Sequence, residues 1–316
     1  MPRMSRAPLR TWWAGLSPAA GAAVMAPGIL SVGLDLIGRT GLSLAALAVA
    51  AVLWLLLAAV FAALLLGDRG RFRAEAHTPA ALTAVAATTL LGSRLDRLGL
   101  HRAAAGLLLL AAALWPVLLY AVVRHWRRRM PGAAFLVCVA TQGLVVLTAA
   151  LAATHHQGRL AEAALALFCL GVLLYPFALR SFDLHEVTGG AGDHWVAGGA
   201  LSITALAGAV LTASHRWTGA AHSALRTATL VALGISLVWY VVLLAAEVRC
   251  PRPHYDIRRW STVFPLGMTA TACLAAAPAT GVPWLRPLGE VLLWIAVGAW
   301  LLTCAAWLLA RRPGAE

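Results

Sequence analysis

The chain of 316 residues contains no lysine, and only 12% of its residues are charged. A soluble globular protein carries about 25% charged residues. That shortage excludes a soluble domain, and with 61% apolar residues it also excludes a disordered chain. Cysteine is scarce as well. The five present, Cys138, Cys169, Cys250, Cys273 and Cys304, form no CxxC pair, and four lie inside apolar runs. They read as small apolar fillers, with no disulfide framework. Long polar stretches are missing too, so no room remains for a soluble domain beside the apolar runs. No HExxH, GxSxG or GxxxxGK motif and no paired aspartates of the prenyltransferase kind occur, which argues against an intramembrane enzyme. His155-His156 is the nearest approach to a metal pair, but adjacent histidines point different ways on a helix. No metal and no cofactor is expected.

What is present is apolar sequence in runs long enough to cross a bilayer, for which about 20 residues suffice. Ten spans are expected: Pro18–Leu34, Gly41–Leu66, Pro79–Ser93, Ala103–Val123, Ala133–Thr154, Leu160–Leu179, Trp195–Ala213, Thr227–Ala246, Trp260–Ala277 and Pro287–Ala310. The fold class is all-α integral membrane, with residues 1–316 a single transmembrane domain. Residues 1–16 and 311–316 are short tails. The net charge of +13 comes entirely from arginine, and the arginines lie in the gaps between spans. A basic balance of this kind belongs to membrane loops and points away from nucleic acid. The termini and alternate loops hold 17 of the 25 arginines, which puts both termini on the cytoplasmic side. Abundant arginine and alanine without lysine suggest a bacterial source and hence its cytoplasmic membrane. Arg94, Arg97 and Arg102 break the orientation trend, because they fall in an outer loop.

The spans alternate in character. Odd-numbered spans hold 14 leucines and even-numbered spans 36, whereas glycine, serine and threonine total 24 and 11. Leucine-rich surfaces suit lipid; small and hydroxylic residues suit close helix contact or a wet lumen. The chain therefore reads as five hairpins, each with an inner and an outer helix, the inner five enclosing a central path. Tight packing alone would also explain the small residues. The inner spans carry breakers at Pro27-Gly28, Gly198-Gly199 and Pro265-Leu266-Gly267. Such breaks are tolerated where freed backbone faces protein or a wet cavity. No Asp, Glu or Arg lies near the middle of any span. Proton-coupled pumps usually keep an ionisable relay there, so passive conduction is favoured, and a cation path would call for acidic rings.

Four stretches carry a family resemblance: WSTVFPLGMT (Trp260–Thr269), VATQGLVVL (Val139–Leu147), DHWVAGGALSITALAG (Asp193–Gly208) and, more loosely, VMAPGILSVG (Val24–Gly33). They resemble the tellurite-resistance/dicarboxylate transporter family within the voltage-dependent anion channel superfamily, alongside plant slow anion channels and yeast malate and sulfite transporters. The resemblance implies five hairpins around a pore, a homotrimer, and a phenylalanine from the ninth helix that plugs the pore. The matching residue is Phe264. The implied function is movement of small anions (an inorganic oxyanion, a halide or a C4-dicarboxylate) by a channel or uniporter, or by a proton-coupled carrier of the same fold. Glycines at Gly189, Gly190 and Gly192, where relatives often have prolines, and the Ala26-Pro27 pair in the first span depart from the family pattern and bear on pore shape.

Candidate pore-lining residues on the inner helices are Gly28, Thr88, Thr141, Gln142, Ser202, Thr204, Pro265 and Thr269. Each hydroxyl or amide among them could bond an anion, or equally a neighbouring carbonyl. Arg94, Arg97 and Arg102 are expected at one mouth, where they would concentrate anions or anchor lipid headgroups. The expected partners are small anions and membrane lipid.

Overall fold

The computed structural model describes residues 20–252 and 255–310. The tails at 1–16 and 311–316, and the start of the first expected span, lie outside the described residues. Within them the chain is all helical, with one isolated bridge between Met130 and Phe182.

Twelve α-helices follow one another: α1 (Gly21–Leu36), α2 (Thr40–Gly67), α3 (Arg69–Ala76), α4 (Thr83–Arg97), α5 (His101–Arg124), α6 (Leu136–His155), α7 (Gly158–Ser181), α8 (Glu186–Gly189), α9 (Val196–Thr212), α10 (Gly219–Arg249), α11 (Trp260–Thr280) and α12 (Leu285–Leu309). Short 3-10 turns lead into α4, α6, α9 and α11. Eight helices, counted with these leading turns, are long and apolar enough to cross a membrane. The expected first and third spans correspond to α1 and α4, at 16 and 15 residues, and are shorter than the rest. The third also runs one turn further than its apolar pattern, past Ser93 to Arg97. Arg94 and Asp96 therefore lie on a helix and not in a loop.

Burial divides the long helices in two. In the apolar stretches of Gly132–His155, Asp193–Thr212 and Ile257–Thr280, 89%, 94% and 78% of residues are buried; in the other five the share lies between 11% and 33%. Helices α1 and α4 join the buried class along almost their whole length. The exposed class carries the leucine surface, including Leu55, Leu109, Leu173 and Leu302. Composition explains the division. Leucine side chains meet lipid tails at no cost, whereas association inside a membrane depends on packing that small residues permit.

The buried helices close on themselves. Helix α1 packs on α4, α4 on α6, α6 on α9, α9 on α11, and α11 returns to α1. Each buried helix also packs on the exposed helix that follows it, and each exposed helix touches the next buried one: α2 on α4, α5 on α6, α7 on α9, α10 on α11, α12 on α1. The buried helices begin together at one end, since Gly21 meets Thr83, Gly132 meets Asp193 and Gly192 meets Thr262. That end is called here the N-terminal end of the ring.

Glycine sets the closeness of the ring. A methyl group on Gly143 of α6 would fall 2.5 Å from Thr89 Oγ1 of α4, and one on Gly199 of α9 would fall 2.9 Å from the Pro265 ring of α11. Valine at Gly143 should therefore force α4 and α6 apart, at a cost of about 1–3 kcal/mol. Gly106 on exposed α5 has open space beside it, so Gly106→Ala should leave stability nearly unchanged. Thermal unfolding of both variants in detergent checks the contrast.

Candidate functional site

Four of the five buried helices border a narrow central cavity. It is bordered by Ala86, Thr89, Leu90 and Ser93 from α4, Val139, Gly143 and Val146 from α6, Ile203 and Leu206 from α9, and Phe264 and Met268 from α11. These positions recur three and four residues apart, which places each set on one face of its helix. Phe264 is 1% exposed and stands one turn before Met268 on that face. The Asp256 carboxylate accepts from Arg258 N–H just before the helix (2.8 Å), and the Pro265 ring sits on Gly199.

The cavity offers about 20 Å³ to a water-sized sphere. That is room for about one water molecule. Its polar lining is two hydroxyls. Thr89 Oγ1 donates to Ala86 O (3.0 Å) and Ser93 Oγ to Thr89 O (2.8 Å). In this arrangement the hydroxyl protons are committed to helix carbonyls, and lone pairs are what remain for the lumen.

Phe264 alone among the inner-helix candidates borders this cavity. The other polar candidates bond carbonyls and neighbouring helices. Thr88 accepts from the indole Nε1 of Trp54 on α2 (2.9 Å) and donates to Ala84 O (2.7 Å). Thr141 repeats the arrangement, with Trp115 Nε1 on α5 (3.0 Å) and Val137 O (2.7 Å). Gln142 Nε2 donates to Phe168 O on α7 (3.3 Å). Ser202 lies 2.6 Å from the Ser236 hydroxyl of α10 and 2.8 Å from Thr269, which itself donates to Pro265 O. Thr204 donates to Ala200 O. Gly28 faces Leu90 and Ala50, and Pro265 faces Gly199. Sequence reasoning missed Thr89, Ser93 and the apolar lining. Their helical spacing was a signal, but every face of an inner helix is apolar or small, so no single face stands out.

The three outer arginines part company. Arg102 is exposed at the start of α5. Arg97 is 46% exposed and pairs with Asp35 (2.6 Å). Arg94 is not at a rim: it is 1% exposed, wedged between α1 and α2. Its Nε donates to Ser31 Oγ (3.1 Å), and its Nη2 donates to Asp35 (3.0 Å) and Ser43 Oγ (2.9 Å). The extra turn of α4 carries it inward, and the carboxylate at the end of α1 receives it.

At the N-terminal end a second charged cluster forms. Glu247 at the end of α10 is clamped by Arg252 (2.5 Å) and Arg259 (2.6 Å), and Arg252 also donates to the carbonyls of Val187 and Thr188. Nearby, burial and the charge of Asp193 raise the Glu186 carboxyl above its ordinary value. Hydrogen bonding from Arg258 holds Asp256 below its own.

A family model described as voltage-dependent anion channel matches residues 15–308. The chain belongs to the voltage-dependent anion channel family. Two relatives are uncharacterized membrane proteins of Mycobacterium tuberculosis, from strain H37Rv and strain CDC 1551 / Oshkosh. Each is 35% identical over 150 residues, covering 43% of this chain and 69% of the relative. Family membership carries the general function of anion channels and transporters, which are not enzymes. It agrees with a multi-helix membrane protein whose relatives are bacterial.

The indole–threonine bonds make a test of which polar groups matter to transport. Trp54→Phe and Trp115→Phe should each lower stability by about 0.6 kcal/mol, the average for interhelical hydrogen bonds in a membrane protein. Anion selectivity should stay unchanged, as measured by denaturant unfolding and by reversal potentials.

Proposed function

We propose that this protein is an anion channel or uniporter of the bacterial cytoplasmic membrane. In this reading ten spans form five hairpins, the central cavity is the conduction path, and Phe264 is its plug. The N-terminal end of the ring and both termini face the cytoplasm, where most of the arginine lies. The assembly is a homotrimer on the family resemblance. The observation that carries the reading is the position of Phe264: its ring is buried against a cavity wide enough for about one water molecule. A hydrophobic constriction of this kind closes a path by excluding water.

Two features favour passive movement of small anions over proton coupling. Among the described residues none that borders the cavity is ionisable, so a proton relay would find no station there. Positive charge sits outside it, at Arg97 and Arg102 on one end and around Arg252 and Arg259 on the other. Charge at a mouth raises the local anion concentration and repels cations. A neutral lining of this type does not discriminate among halides, inorganic oxyanions and C4-dicarboxylates.

Phe264→Ala should raise basal anion flux several-fold in proteoliposomes. Unchanged flux through a folded variant would remove Phe264 as the plug. Reversal potentials that track the anion gradient alone would support a channel or uniporter, and a shift with a pH gradient would support the coupled carrier. Replacing Arg97 and Arg102 with Gln should reduce current at about 10 mM salt, where charges act over about 30 Å, far more than at about 1 M, where they act over about 3 Å.

A further inference from the structure

We propose that Arg94 is an anion-binding residue whose one uncommitted donor, Nη1, is kept dry behind Leu90 and is uncovered to the central cavity when Leu90 leaves its seat on Gly28. This rests on the reading of that cavity as the conduction path, and it adds a charged station which the neutral lining lacks.

Arg94 and Arg97 share one carboxylate, Asp35. Asp96, on the same helix, pairs with His101 (2.8 Å). The three-residue cluster of Arg94, Arg97 and Asp35 therefore keeps one net positive charge, and the guanidinium that is 1% exposed holds part of it in a place that water screens poorly. A guanidinium serving only as a rivet between α4, α1 and α2 would need Nε and Nη2, which make all the recorded bonds. Nη1 is buried with no hydrogen-bond partner. Leaving a charged donor buried and unpaired is destabilising, and an anion at Nη1 would remove that cost.

Arg94 borders a seam walled by Val24, Gly28, Leu47, Ala50, Ala87, Leu90 and Leu91, with no space for even one water molecule. Leu90 is the wall common to this seam and the central cavity. Its Cδ2 lies 2.8 Å from where a side chain on Gly28 would begin, so Leu90 fills the slot that the glycine leaves open. Arg94 stands one helical turn beyond Leu90 and directly after Ser93, which borders the cavity. Rotation of the Leu90 side chain removes the wall between the seam that Arg94 borders and the cavity. The Thr89 and Ser93 hydroxyls on the same face keep their protons on helix carbonyls, so Nη1 is the donor that an anion meets there. Guanidinium is weakly hydrated, so the site suits weakly hydrated monovalent anions, with bromide a suitable probe.

The test uses the full chain in proteoliposomes, with Phe264→Ala present to remove the plug. Adding Arg94→Gln should raise the bromide concentration for half-maximal current about tenfold or more, as expected for loss of a hydrogen bond to a charged group. Arg94→Lys should keep anion over cation selectivity. Unchanged saturation and selectivity in the Gln variant would overturn the proposal. Because Arg94→Gln also breaks bonds to Ser31, Asp35 and Ser43, Leu90→Ala provides a second route that leaves those bonds in place. Anomalous scattering from bromide-soaked Leu90→Ala crystals should place bromide against Arg94 Nη1; bromide absent from that position overturns the proposal. If Phe264→Ala passes no anion, the conduction reading fails, and the bromide position still decides the site.

Discussion

Inside hydrocarbon every polar group must find its partner within the protein, and this constraint orders the whole molecule. It explains why the buried helices can carry so many serines and threonines. Many of the hydroxyls turn their proton to a carbonyl four residues back, as in Thr88, Thr141, Thr204 and Thr271. The lone pairs then accept from a neighbouring helix where one offers a donor. Small side chains let those helices approach closely enough for the bonds to form. Leucine is left to the exposed helices, where contact with lipid requires no partner.

Composition made the larger plan legible. The uneven division of leucine against glycine, serine and threonine separates the buried from the exposed class, and the structure shows the same division in burial. Family membership was legible in four short stretches, and the comparison with the family extends it over residues 15–308. Helix ends were less so. Arg94 and Asp96 follow an apolar run and read as a loop, yet α4 continues through them because Asp35, Ser31 and Ser43 satisfy the guanidinium from other helices. Such partners lie far away in sequence and leave no local trace.

The candidate site was legible at one residue for the same reason. Phe264 was marked by the family resemblance, and it borders the cavity. The hydroxyls could not be sorted by sequence, since a threonine that lines a lumen and one that grips the next helix have identical neighbours in type. Trp54 and Trp115 are the donors that distinguish them, and both sit on exposed helices. The two arginine–carboxylate clusters stand at opposite ends of the ring. That leaves the cavity lining between them neutral.

The paired indole bonds have a mechanical meaning. Trp54 and Trp115 each join the exposed helix of one pair to the buried helix of the next, so along this part of the circumference the staves of the barrel are hooped. A hooped barrel resists widening like an iris, because spreading one joint strains the adjoining one. Opening by the turn of single side chains into slots already cut in the wall leaves the hoops intact.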